Sequence, residues 1–238
     1  MVPPDLGLSV RCDLVGRFSL EQLGSGDPWH GAWGLWVALA MSVLALGMGA
    51  FLGPWGFGAT VFGVLAAWAY SAEPVRLKRS GVWGPGLVGL CYEGLPWFTG
   101  AAVLAAGAPS GPVIAIAALY AIGAHGIMTL NDFKALEGDR QMGVNSLPVT
   151  LGAERAARVA CMVMALPQLA VIGLLLAWGR PWHAAAIGVL VLGQFWAMRI
   201  LLSDPKGRAP WYNGTGVMAY VTGMMIAAFA LRMIGGAP

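Results

Sequence analysis

From residue 31 onward the chain alternates between apolar runs of helix length and short polar joints. Pro28 to Ala72 contains no Asp, Glu, Lys or Arg. A bilayer core takes roughly 20 apolar residues per helix, so that stretch alone accommodates two spans. The expected spans are Ala32–Gly53, Gly56–Ala72, Gly84–Gly107, Pro112–Leu130, Ala157–Trp178, Trp182–Leu202 and Gly214–Leu231. Gly and Pro mark most of the joints, as expected where helices stop. The pattern predicts an all-α, polytopic transmembrane helical bundle of about seven spans over residues 31–238. Residues 1–30 break the pattern, with scattered charges and no apolar core long enough for a signal sequence. They are expected to form an irregular N-terminal segment.

Composition agrees. Of 238 residues, 58% are hydrophobic and 11% charged, against about 25% charged in soluble domains. The net charge of +3 matters less than where the charges sit. Arg76, Lys78 and Arg79, then Lys134, Arg140, Arg155 and Arg158, then Arg199, Lys206 and Arg208 fall at the joints after spans two, four and six. The opposite joints and the C-terminus carry only Arg180 and Arg232. The positive-inside rule therefore predicts that these three loops face the cytoplasm. Cys12, Cys91 and Cys161 show neither disulfide nor metal spacing. Nothing in the pattern points to a nucleic-acid partner.

Two of the three loops carry candidate chemistry. Asn131 to Arg140 places three acids and two bases at the end of an apolar run. On a continuous helix, Asp132 and Asp139 would lie within about 20° of one face, with Glu137 off that face. Magnesium needs only one or two carboxylates if diphosphate oxygens and water complete its octahedron. The plainer alternative is a solvated helix end whose acids pair with Lys134 and Arg140. In the first loop, Arg76, Lys78 and Arg79 follow Pro74, and such bases suit phosphate. The plainer alternative there is topology anchors touching lipid head groups. The third loop, Ser203 to Arg208, reads as a turn.

Two ionisable residues fall inside spans. Glu93 sits near the middle of the third, where an acid costs roughly 2.5–3.5 kcal/mol on insertion scales and should face a cavity or a partner. Pro96 is expected to bend that helix. His125 precedes Asp132 by two turns, on the same face but about 10 Å deeper. Either residue could instead be a buried polar group satisfied by hydrogen bonds.

These residues carry a resemblance. Asn131-Asp132-Phe133-Lys134-x-x-Glu137-Gly138-Asp139-Arg140, followed by Met142-Gly143 and Ser146-Leu147-Pro148-Val149, resembles the second acidic motif of the UbiA-type intramembrane prenyltransferases. Tyr70-Ser71-x-x-Pro74-x-Arg76-x-Lys78 and Glu93-Gly94-Leu95-Pro96-Trp97 are similar to the chlorophyll and bacteriochlorophyll synthase branch, the bacterial version most of all. The resemblance runs from about Trp33 to the C-terminus. It implies nine helices around a lipid-accessible cavity, and transfer of a geranylgeranyl or phytyl group from its diphosphate to the propionate of (bacterio)chlorophyllide. It implies Mg2+ on Asp132 and Asp139, with Glu137 as a further ligand. Diphosphate contacts would come from Arg76, Lys78, Lys134 and Arg140, and catalytic roles from Tyr70 and Glu93.

Ala135 stands where other branches often place an Asp, and the family's first acidic motif has no counterpart in Met1–Trp29. The expectation is that the sequence lacks the N-terminal part of the family fold. Two other readings stay open: an impaired homologue that binds pigment or assists assembly, and a prenyltransferase for another acceptor. A retinal photoreceptor is excluded, since Lys78, Lys134 and Lys206 all lie on loops. The implied setting is a multi-pass protein of the bacterial inner, intracytoplasmic photosynthetic membrane, with its loops in the cytoplasm. Membrane lipid and other pigment-synthesis or photosystem-assembly proteins are the implied partners.

Overall fold

A computed structural model describes residues 28–234, and side chains from residue 33 onward. The expected irregular segment, up to residue 27, lies outside the described residues. The chain divides into two compact units, residues 1–45 and 46–238. Of the first, the described part is the beginning of helix α1 (Pro28–Gly49), where Ser42 Oγ donates to the Ala38 carbonyl at 2.7 Å.

Six stretches are long and apolar enough to cross a membrane. The first, Trp33–Ser71, is 39 residues long and so holds two of the seven expected spans. A straight helix of that length would reach roughly 58 Å, about twice a bilayer core. The run is broken by a 3-10 turn at Ala50–Leu52 and by Gly53, at φ +76°, ahead of helix α2 (Gly53–Ser71). The left-handed region suits glycine, and Pro54 then starts the new helix where an N–H would be unused anyway.

The third expected span is a composite: α3 (Trp83–Gly89), a π-turn at Leu90–Gly94, and α4 (Leu95–Leu104). Pro96, expected to bend the helix, sits in the first turn of α4. Its missing N–H and its ring both disturb the turn before it, and the wide π-turn falls there. Glu93 lies inside that π-turn.

The core of the second unit is built on α5 (Gly111–Asp132), α8 (Ala153–Ala177), α9 (Pro181–Ser203) and α10 (Pro205–Ile234). Small residues bring these helices close, as membrane packing favours. At Gly126 an added Cβ would stand 2.5 Å from the Ala160 carbonyl oxygen. Gln168 and Gln194 exchange two amide hydrogen bonds of 3.0 and 2.9 Å across α8 and α9, with both side chains buried. Tyr220 donates to the Tyr120 carbonyl at 2.6 Å, linking α10 to α5, and Trp97 stacks on the Tyr120 ring.

Ser203 to Arg208, read from sequence as a turn, is mostly helix. α10 begins at Pro205, nine residues before the expected start of the last span. Asp204 Oδ1 accepts from the Gly207 N–H at 3.1 Å, so Asp, Pro and Gly here are a helix start rather than a helix breaker. At the other end of α10, Arg180 donates to the Met233 carbonyl. Reporters fused near Arg79, Asn145 and Lys206 should therefore read one side of the membrane and a reporter near Arg180 the other. A shared side for all four would refute this helix order.

Candidate functional site

The site lies where α2 and α5 end. Helix α5 stops at Asp132, and Phe133–Ala135 form a turn before α6 (Leu136–Gln141) and the short α7 (Leu147–Leu151). The expected continuous helix through Asp132 and Asp139 is thus corrected. The turn is closed by Lys134 N–H to Asn131 O (3.1 Å) and Ala135 N–H to Asp132 O (3.0 Å). The two carboxylates still lie close enough to repel each other, and both sit within electrostatic reach of the Tyr70 hydroxyl at the end of α2. Asp139 is 8% exposed and Asp132 half-buried.

Glu137 does not join them. Its carboxylate is turned outward, 75% exposed, with Arg140 at 3.9 Å. On a one-and-a-half-turn helix, residues two apart point to different sides, so burying Asp139 turns Glu137 to solvent. Lys134 and Arg140 are both exposed.

The basic loop is tied to this acidic one through the backbone. Gly81 N–H donates to Asn145 O at 2.8 Å, and Asn145 N–H donates to Arg79 O at 2.9 Å. At Gly81 an added Cβ would lie 2.5 Å from Leu147 N and 2.6 Å from Asn145 O, so only glycine permits this approach. Arg76 binds Glu73 at 2.8 Å, and Arg79 reaches the same carboxylate at 3.3 Å. The hydrogen bond from Arg76 holds this exposed carboxyl below the usual carboxylate range, helped by the charge of Arg79. Arg76 Nε is buried and has no partner, and an orphaned buried donor of that kind suits an anion. Lys78 is exposed.

Beside Tyr70 opens a cavity of about 390 Å³ lined by Gly63, Ala66, Ala67, Tyr70, Ser71, Leu87, Val88, Cys91 and Tyr92. Its size falls in the ~300–1,000 Å³ range of ligand pockets, and its walls are mainly apolar. Glu93 is not among its lining residues. It lies half-buried on another face of the π-turn, within electrostatic reach of Tyr220, and makes no ion pair among the described residues. His125 is satisfied locally: Nε2 faces the Val82 carbonyl at 3.1 Å, and Thr129 Oγ1 lies 3.4 Å from Nδ1.

A family model for UbiA prenyltransferases matches residues 30–221. The chain belongs to this family. It is 71% identical over 202 residues to the bacteriochlorophyll synthase 33 kDa chain of Cereibacter sphaeroides, spanning 85% of this chain and 67% of that protein. Against the chloroplastic chlorophyll synthase of Oryza sativa, identity is 34% over 199 residues, spanning 80% of this chain and 52% of that protein. A solved structure of digeranylgeranylglyceryl phosphate synthase shares the fold, with a TM-score of 0.67 and 18% identity, over 90% of this chain and 77% of that one.

Sequence reasoning missed one polar contact at the site. Asn213 Nδ2 donates to Asn131 Oδ1 at 2.9 Å, joining the start of α10 to the end of α5, and Asn213 Oδ1 is left without a partner. No signal near Asn213 could have announced it, because the two residues are 82 positions apart. Among the described residues, no three His, Cys, Asp or Glu side chains come together as a complete metal cage. Asp132 and Asp139 are the carboxylates that could hold a divalent ion, because one or two protein carboxylates suffice where other oxygens complete its shell.

Proposed function

We propose that the protein transfers a geranylgeranyl or phytyl group from its diphosphate to the propionate carboxylate of bacteriochlorophyllide or chlorophyllide, the last stage of (bacterio)chlorophyll synthesis. The observation that carries this reading is the 71% identity to the bacteriochlorophyll synthase chain. The site supports it, because two acids lie within electrostatic reach of a tyrosine that lines an apolar cavity.

In the reaction the allylic C1–O bond breaks, its electron pair leaves with the diphosphate, and a carboxylate oxygen of the acceptor bonds to C1. No proton need move. Asp132 and Asp139 would hold Mg2+, which when bound supplies positive charge against the departing diphosphate. Arg76, Lys78, Lys134 and Arg140 are the diphosphate contacts. Arg76 is best placed of these, with its buried orphan Nε and a guanidinium already oriented by Glu73. Tyr70 lines the cavity and lies within electrostatic reach of both acids, so its ring would border the allylic carbon as positive charge develops there. The apolar walls keep water from that carbon and hold the prenyl tail. The site would face the cytoplasm of a bacterial photosynthetic inner membrane, because the bases collect on that side.

Membranes carrying the natural gene product, given geranylgeranyl diphosphate and magnesium, should esterify bacteriochlorophyllide, read as prenylated pigment on chromatography. Esterification of neither bacteriochlorophyllide nor chlorophyllide, with another acceptor consumed instead, would overturn the assignment.

Glu93 belongs to the same proposal. A carboxylate inside a span without an ion-pair partner marks a functional position. Glu93→Gln keeps the volume and removes the charge, so it should lower turnover by about 10-fold, less than the usual cost of losing a charge-stabilising group at the reacting centre, without changing the amount of protein in the membrane. Loss of the protein itself would make Glu93 a packing residue.

A further inference from the structure

A second cavity lies away from the acidic site. Of about 420 Å³, it opens between α8 and α9 and is lined by Cys161, Met162, Ala165, Phe195, Met198, Arg199 and Leu202. All but Arg199 are apolar or weakly polar. Arg199 is exposed, four residues before the end of α9, and makes no ion pair among the described residues. Its position is roughly 6 Å below the helix end, on the side of the membrane where α5 ends and α10 begins. An arginine at that depth extends its head toward the interface.

The acids nearest in the chain are already engaged. Glu154 pairs with Arg158 at 3.6 Å, and Asp204 accepts from the Gly207 N–H. A cation without an ion-pair partner among the described residues therefore stands at the rim of an apolar groove, and the groove runs from it toward the middle of the bilayer. A guanidinium recognises phosphate oxygens through paired N–H donors, while an acyl chain matches Met162, Ala165, Phe195 and Met198.

We propose that the α8–α9 groove is a binding site for an anionic phospholipid of the surrounding leaflet, with the phosphate on Arg199 and one acyl chain between the two helices. Charge complementarity favours an anionic lipid over a zwitterionic one, because the choline group of the latter offsets the charge that Arg199 reads. The site is separate from the reaction, and nothing in it depends on which pigment is prenylated.

The test is retention of lipid by the full chain. Protein from vesicles of equal phosphatidylglycerol and phosphatidylcholine with identical acyl chains is transferred to mild detergent, and bound lipid is read by native mass spectrometry. Phosphatidylglycerol should be retained about five-fold over phosphatidylcholine, the equivalent of about 1 kcal/mol per basic group near a membrane surface. Arg199→Gln should bring the ratio close to one, and Arg199→Lys should keep most of it. Met162→Trp, at an exposed groove position, should displace both lipids. Equal retention of the two lipids by the unaltered protein would overturn the proposal. So would an unchanged preference in Arg199→Gln.

Discussion

Replacing Asp132 or Asp139 with alanine should lower prenyl transfer by about 100- to 1000-fold, the usual cost of losing a charge-stabilising group, while the protein stays in the membrane. Both side chains sit at the end of the apolar core rather than within it, so alanine removes a cation ligand and little packing. Each substitution removes a buried or half-buried carboxylate that has no ion pair among the described residues, and burying such a group is costly, so the folded protein should be at least as abundant as before. Glu137→Ala should cost far less, because Glu137 faces solvent and Arg140. Initial rates across a magnesium titration, normalised to membrane-bound protein, separate the three. If Glu137→Ala were the most damaging, the convergence of Asp132 with Asp139 would not be the metal site.

Gly81→Ala should cost about 100-fold in transfer, with the protein still inserted. The added Cβ would meet Leu147 N, Asn145 O and Ser146 C at 2.5–2.7 Å. All three are backbone atoms, so no rotamer change relieves the clash. The local answer is to part the two strands of chain, which breaks the Gly81–Asn145 and Asn145–Arg79 hydrogen bonds. Parting them moves the bases away from the acids, and a displacement of about 1 Å at a reacting site is enough for a loss of about 100-fold. Gly138→Ala is the matching control. It lies within the acidic motif, where a Cβ meets nothing closer than Met142 Cε at 3.9 Å, and should leave the rate nearly unchanged. Limited proteolysis within residues 72–82 should accelerate in Gly81→Ala alone. Equal activity of the two variants would mean that the tie between the loops does not matter to the site.

The membrane class and the helix order were legible in the chain, because insertion is decided by local apolar content, and length and charge bias are local quantities. The bases and acids were legible for the same reason: Arg76, Lys78, Asp132 and Asp139 stand out against a nearly uncharged background. Their geometry was not. The sequence predicted an unbroken helix through Asp132 and a turn before Gly214, but α5 stops at Asp132 and α10 starts at Pro205. Pro, Gly and Asp signal a boundary without saying whether a helix is ending or beginning there. Glu93 was expected to face a cavity or a partner, and it is not among the residues that line the cavity beside Tyr70, because it lies in the wide turn ahead of Pro96. That π-turn changes the angular register by which helical faces are read from spacing. The contacts that join the site, Gly81 with Asn145 and Asn131 with Asn213, span 64 and 82 positions. They depend on where whole helices come to rest, and that is set by the packing of small residues such as Gly126 against the Ala160 backbone. The chain by itself determined which groups are present and that the bases collect on one side of the helix bundle. Only the tertiary structure decided which of them meet.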